Sequence, residues 1–304
     1  MIRHFALLLG VLALGGCVTP LPDLSQSRSP CQTEPGGWCS FVRQAAAQSY
    51  PYAMLSSNAY QDEDEYKVLP AGFAKREEEG NDDSGLAYIV VDRFAKEARV
   101  GKPVARIIAF RGTEFGSRAD LFSGSLGDGQ RDGARAIYTL ERAFMDANGM
   151  ADVPIEVTGH SLGGALATQI SIDNPDVKAF VFNTSPLFTG DPMQNSGNRL
   201  AIAERGEFLR LLRRYREPAA ANVVVINCSP TSDVGNKHSI RKLADCLTWI
   251  AAYDEPAAFE VLASNAIAKP EVECGPAEKR HPGASNNTSE PGAPCVHQVP
   301  LKEK

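Results

Sequence analysis

The chain has 304 residues, 43% of them hydrophobic, and a formal net charge of −6. That length and apolar content suffice for one large domain with its own core. The acidic balance argues against nucleic acid as a partner.

Arg3 and His4 precede an apolar run, residues 5–14, that is too short to span a bilayer, and Gly15, Gly16 and Cys17 follow. A charged start, a short apolar stretch and small residues describe an export signal. The ending Leu14-Gly15-Gly16-Cys17 resembles a bacterial lipobox, which implies that residues 1–16 are removed and that Cys17 is acylated. The protein is then expected to reach the membrane through its lipidated N-terminus, with Val18 pointing to the outer membrane of the cell envelope. An ordinary secretory signal with a chance cysteine is the alternative.

Residues 17–37 are rich in Pro, Ser, Gln and Gly and read as a tether; 38–268 read as the folded domain, and 269–304 as a Pro/Gly-rich tail. Within the domain, helical patterns at 40–60 (broken near Pro51), 132–148, 162–172, 198–215 and 240–252 alternate with strand patterns. The strands are predicted at 86–92, 104–110, 153–158, 177–183 and 222–227, the first of them antiparallel to its neighbour. Several are continuous apolar runs, as strands covered on both faces require. The alternation predicts an α/β fold with a mainly parallel sheet and helices on both faces. The acidic clusters 62–65 and 77–83 read as solvated loops. The helix at 198–215 joins an apolar stripe (Phe208, Leu211, Leu212, Tyr215) to Arg210, Arg213, Arg214 and Arg216, and reads as a core-packed element with a solvated basic face; resting on anionic lipid is its rival.

The strand at 153–158 runs into Gly159-His160-Ser161-Leu162-Gly163, and a helix-forming run follows at once. G-x-S-x-G between strand and helix is the pattern of a nucleophile elbow. Gly159 and Gly163 are small where strand and helix nearly touch. The Leu162 N–H, at a helix N-terminus, would point at an oxyanion beside Ser161. A glycine-rich connecting turn is the plainer alternative. Upstream, Ala109-Phe110-Arg111-Gly112-Thr113-Glu114 closes a buried strand, and its turn can aim a main-chain N–H and the Thr113 hydroxyl at the same place.

A serine needs a base, and the chain has five histidines. His4 leaves with the signal, His160 is expected to point away from the reaction, and His281 and His297 lie in the tail. His238 follows a strand and opens a helix, so it is the expected base. Ser161, Asp233 and His238 obey the order serine, acid, histidine, with Asp191 as the second choice of acid.

The two motifs together, "AFRGTE" and "VTGHSLGGALA", resemble the class 3 lipases of the α/β-hydrolase superfamily over roughly residues 53–252. The resemblance implies Ser161 as nucleophile and Thr113 as oxyanion residue. Asp120 stands where that family often has an Asp-Trp pair, but Leu121 replaces the tryptophan, and Gly124, Gly127 and Gly129 occupy the lid segment. A large apolar lid is therefore not expected.

The expected activity is hydrolysis of acyl esters, lipids above all, by Ser161, His238 and Asp233, with no metal and no cofactor. An acyltransferase using the same triad and a non-catalytic interaction module are the alternatives. Removing Cys17 leaves six cysteines, Cys31, Cys39, Cys228, Cys246, Cys274 and Cys295, an even number that suggests disulfides in an oxidising compartment. A bond between Cys228 and Cys246, bracketing Asp233 and His238, is the pairing expected. A zinc site built from these cysteines with His238, His281 or His297 is the rival, but no C-x-x-C spacing supports it.

Overall fold

The computed structural model describes residues 31, 34–61, 65–81, 86–95, 101–112, 126–213, 220–230, 232–270 and 282. Cys17, Thr113, Asp120, Cys274 and Cys295, and with them the signal, the lipobox and most of the lid segment, lie outside the described residues.

Seven strands form one sheet in chain order: β1 (Phe73–Asn81), β2 (Ala87–Arg93), β3 (Ala105–Phe110), β4 (Ile155–His160), β5 (Lys178–Phe182), β6 (Arg199–Glu204) and β7 (Asn222–Ile226). β1, β2 and β3 pair antiparallel, and β3 through β7 run parallel. The architecture is α/β-hydrolase-like, a mostly parallel sheet with helices on both faces.

Sequential parallel strands joined by right-handed crossovers put their helices on one face. Here α2 (Leu126–Ala147) and α3 (Leu162–Asp173) are those helices. The opposite face is covered from outside the parallel unit, by α1 (Ser40–Asn58) before the sheet and α5 (Ile240–Ala251) after it, with α6 (Pro256–Ser264) beside α5. Alternation along β3 serves both layers. Ile107 and Ala109 join the core under α1 and α5 with Met54, Leu55, Leu243 and Leu247, while Ile108 and Phe110 join Leu166 and Ile170. Helix α1 passes through Pro51 without interruption, so the expected break is absent.

The stretch 198–215 is not one helix. Its first part is the interior strand β6, then a turn leads to the short α4 (Leu209–Arg213). Arg, Leu, Ala and Glu favour helix, but the slot between β5 and β7 overrides that preference. The charged ends of β6 are buried and satisfied by main chain: Arg199 Nη1 donates to the Gln194 carbonyl at 2.9 Å, and Glu204 accepts from the Cys228 and Ser229 N–H groups at 3.0 Å. Residues 77–81 of the acidic stretch belong to the edge strand β1 rather than to the loop expected there.

Two disulfides are present among the described residues. Cys31–Cys39 closes the chain ahead of α1, and Cys228–Cys246 ties the end of β7 to α5 with a Cα separation of 6.1 Å. No helix among the described residues is long and apolar enough to cross a membrane.

Candidate active site

The parallel register sets Phe110 of β3 beside Gly159 of β4, and His160 beside Phe182 of β5, so three strands end level. Ser161 is the single residue between β4 and α3, at φ 57° and ψ −121°. A non-glycine residue there costs about 1–3 kcal/mol and persists only where its surroundings impose it. The Ser161 N–H donates to the Phe182 carbonyl at 3.1 Å, and its carbonyl accepts from the Ser185 N–H at 2.9 Å and the Ala165 N–H at 3.2 Å.

The glycines let the helix approach. A Cβ on Gly159 would lie 2.3 Å from the Gly163 carbonyl, and one on Gly163 would lie 2.1 Å from the Phe110 carbonyl oxygen. Leu162 is the first residue of α3, so its N–H falls in the turn where a helix has no acceptor of its own. A Cβ on Gly112 would meet the Ser161 Cβ at 3.1 Å and the His160 carbonyl oxygen at 2.6 Å. The turn leaving β3 at Gly112 therefore closes on Ser161.

His238 closes a 3₁₀ turn, Asn236–His238, just before α5, and is buried. Its ring centroid lies 4.5 Å from that of His160, the residue preceding Ser161, which brings the expected base to the elbow. The acid expected beside it is not there. Asp233 is exposed, and its two oxygens accept from the Asn236 N–H at 2.8 Å and the Asn236 side-chain amide at 2.6 Å. Those bonds hold its carboxyl below the usual carboxylate range. Five residues of chain make a tight turn there, and the turn itself consumes the carboxylate as its cap. Asp191 likewise accepts from the Met193 N–H, in a turn of its own.

Glu207 takes the place assigned to Asp233. It follows β6 through a turn at Gly206 (φ 82°), its side chain is fully buried, and its Oε2 lies 2.8 Å from His238 Nδ1. The same oxygen accepts from the Leu209 N–H at 2.9 Å, while Oε1 pairs with Arg213. Arg213 also donates to the Thr184 carbonyl at 2.7 Å, anchoring Glu207 to the strand end beside the elbow. The Phe208 ring lies 4.4 Å from the His238 ring, on centroids. A carboxylate only accepts, so in a neutral ring the proton sits on Nδ1 and Nε2 is left as an acceptor.

Ser161, Glu207 and His238 keep the order serine, acid, histidine. Glu207 and Arg213 escaped the sequence reading because 198–215 read as one helix. Recognising a strand at 199–204 would have put Glu207 just past a strand end, where an acid belongs. His160 does not point away from the site. Its Nδ1 lies 2.8 Å from the Tyr60 hydroxyl and its Nε2 lies 2.7 Å from the His238 carbonyl oxygen.

No protein-family model matches the sequence, and no curated protein matches it. Among solved structures the chain is similar to lipase II from Rhizopus niveus, at 14% identity over 55% of this chain and 74% of that one, with a TM-score of 0.39. It is also similar to a lipase from Rhizopus microsporus var. chinensis, at 13% identity over 56% and 68% of the two chains, TM-score 0.42. A third is a triacylglycerol lipase from Penicillium expansum, at 14% identity over 61% and 78%, TM-score 0.42. Likeness at this level carries no argument, and a functional reading has to rest on the geometry of Ser161, His238 and Glu207.

Proposed function

We propose that the protein is a serine hydrolase of carboxylic esters, with acyl esters of lipids as its substrate class. The observation that carries this reading is the buried Glu207–His238 pair, held at the elbow that presents Ser161 in a strained turn. His238 Nε2 removes the Ser161 proton as Oγ attacks the ester carbonyl, and the carbonyl electrons move onto oxygen. The Leu162 N–H stabilises that oxyanion, joined in this reading by Thr113. Glu207 stabilises the imidazolium, which passes its proton to the departing alkoxide. Water then repeats the sequence on the acyl-enzyme and returns Ser161. The buried Glu207–His238 pair at the elbow speaks against a non-catalytic module.

The reading includes export and acylation of Cys17, supported by the lipobox pattern and by two disulfides, which suit an oxidising compartment. Anchoring would keep the enzyme beside acyl-ester lipids at the cell envelope. The deciding experiment is labelling with a fluorophosphonate, followed by hydrolysis assays on triacylglycerol, phospholipid and short soluble esters. Ser161→Ala should abolish labelling and hydrolysis while keeping the fold. Activity that survives this substitution in a clean preparation refutes the reading.

A further inference from the structure

The triad leaves one buried imidazole at the site without a role. His160 is 3% exposed, and both of its ring nitrogens have specific partners. A carbonyl oxygen accepts and never donates, so the contact with His238 O places a proton on His160 Nε2. In the neutral ring Nδ1 is then an acceptor, and the Tyr60 hydroxyl donates to it. One tautomer satisfies the whole chain.

That chain joins three parts of the site. Tyr60 follows α1, and its hydroxyl lies 2.5 Å from where a Cβ of Gly112 would stand, against the turn that leads to Thr113. His160 ends β4 and carries the elbow. The His238 carbonyl ends the 3₁₀ turn that presents the base, a turn also held by the His238 N–H to the Gly235 carbonyl at 2.9 Å, the Lys237 N–H to the Asp233 carbonyl at 3.0 Å, the Ser239 N–H to the Asn236 carbonyl at 3.2 Å and Asn183 to the Lys237 carbonyl at 3.4 Å. The Glu207 bond fixes how the His238 ring is rotated, whereas the His160 bond fixes where its main chain stands.

We propose that His160 is a positioning residue: as a neutral imidazole donating from Nε2 to the His238 carbonyl and accepting from Tyr60 at Nδ1, it sets the distance between the base and Ser161. This rests on the hydrolase reading above. Neutrality is part of the role, because His238 becomes an imidazolium during the reaction and a second cation 4.5 Å away would oppose it. Burial, then the facing His238 and Arg213, push the His160 pKa well below the ordinary histidine value.

The test compares three variants on a soluble ester and in the rate of fluorophosphonate labelling. His160→Leu removes the donor, His160→Gln keeps an amide N–H that can serve the carbonyl, and Tyr60→Phe leaves the imidazole without its own donor. His160→Leu should lower kcat and the labelling rate together by about 10²-fold with KM unchanged, the size expected when a reacting group shifts by about 1 Å. His160→Gln should recover most of that loss, and Tyr60→Phe should fall between them. Nitrogen-15 NMR of the wild-type protein should show His160 neutral and protonated on Nε2 across the active pH range.

An unchanged kcat in His160→Leu overturns the proposal, as does a loss confined to KM, a glutamine variant no better than leucine, or a ring protonated on Nδ1. If the leucine variant does not fold, Tyr60→Phe and the wild-type tautomer decide. A wild-type protein that Ser161-directed reagents never label refutes the hydrolase reading and the proposal with it. Normal labelling that ignores all three variants refutes the proposal alone.

Discussion

Replacing Glu207 with glutamine isolates the charge of the acid from its shape. The carboxylate is fully buried and meets donors on both oxygens: His238 Nδ1 and the Leu209 N–H on Oε2, Arg213 on Oε1. An amide can satisfy one side only. With its oxygen toward Arg213, its NH₂ faces the Leu209 N–H and drives the His238 proton from Nδ1 to Nε2, where the ring cannot accept from Ser161. With its oxygen toward His238, its NH₂ meets the Arg213 guanidinium. The wrong tautomer costs a triad about 10⁴ in kcat, or roughly 5 kcal/mol. The alternative orientation relieves part of that, so the expected loss is about 10²- to 10⁴-fold. Asp233→Asn, at an exposed site that keeps its turn, should stay within roughly twofold. Both variants are measured as kcat on a soluble ester, with fluorophosphonate labelling rates and circular dichroism as controls. Glu207→Gln at more than a third of wild-type kcat, or a hundredfold loss in Asp233→Asn, would refute the assignment.

Opening the Cys228–Cys246 bond with a double serine substitution frees an 18-residue loop that carries the base, worth about 3 kcal/mol of unfolded-chain freedom. Thermal inactivation should then precede loss of circular dichroism, and coincident transitions would make the bond a general staple. Gly163→Ala drives a Cβ against the Phe110 carbonyl, so it should destabilise the domain by about 3 kcal/mol or more in urea unfolding; a normal midpoint would contradict the close approach. His160 has a native pKa below its unfolded value near 6.5, from burial first and then from His238 and Arg213. Below that pH the unfolded chain binds a proton that the native state refuses, so its contribution to stability falls with falling pH, by up to about 1.4 kcal/mol per unit, until the native pKa is reached. His160→Gln should flatten the stability curve between roughly pH 6.5 and 5, and an unchanged slope in urea titrations would show that His160 titrates normally.

The elbow at Ser161 was legible because its constraints are local. A strand, a turn too tight for side chains at Gly159 and Gly163, and a helix of small residues occupy eleven consecutive positions, and few other arrangements satisfy them. His238 was legible by elimination among five histidines, and the Cys228–Cys246 bond from the way those cysteines bracket it. The acid was not. Its identity depends on which carboxylate the sheet brings to a ring 31 residues away, and that depends on β6 being a strand. Helix-favouring residues at 199–204 carry no local sign of the slot between β5 and β7; only pairing on both sides makes the strand the cheaper state. The same tertiary choice moved Arg213 from a basic helix face to the buried side of Glu207, and turned His160 from an incidental elbow residue into a bridge between Tyr60 and the base. Sequence alone determined the elbow turn at Ser161, since bonds and sterics between near neighbours suffice for it. The side chains gathered at that turn come from distant strand ends, and only the assembled sheet decides which of them meet.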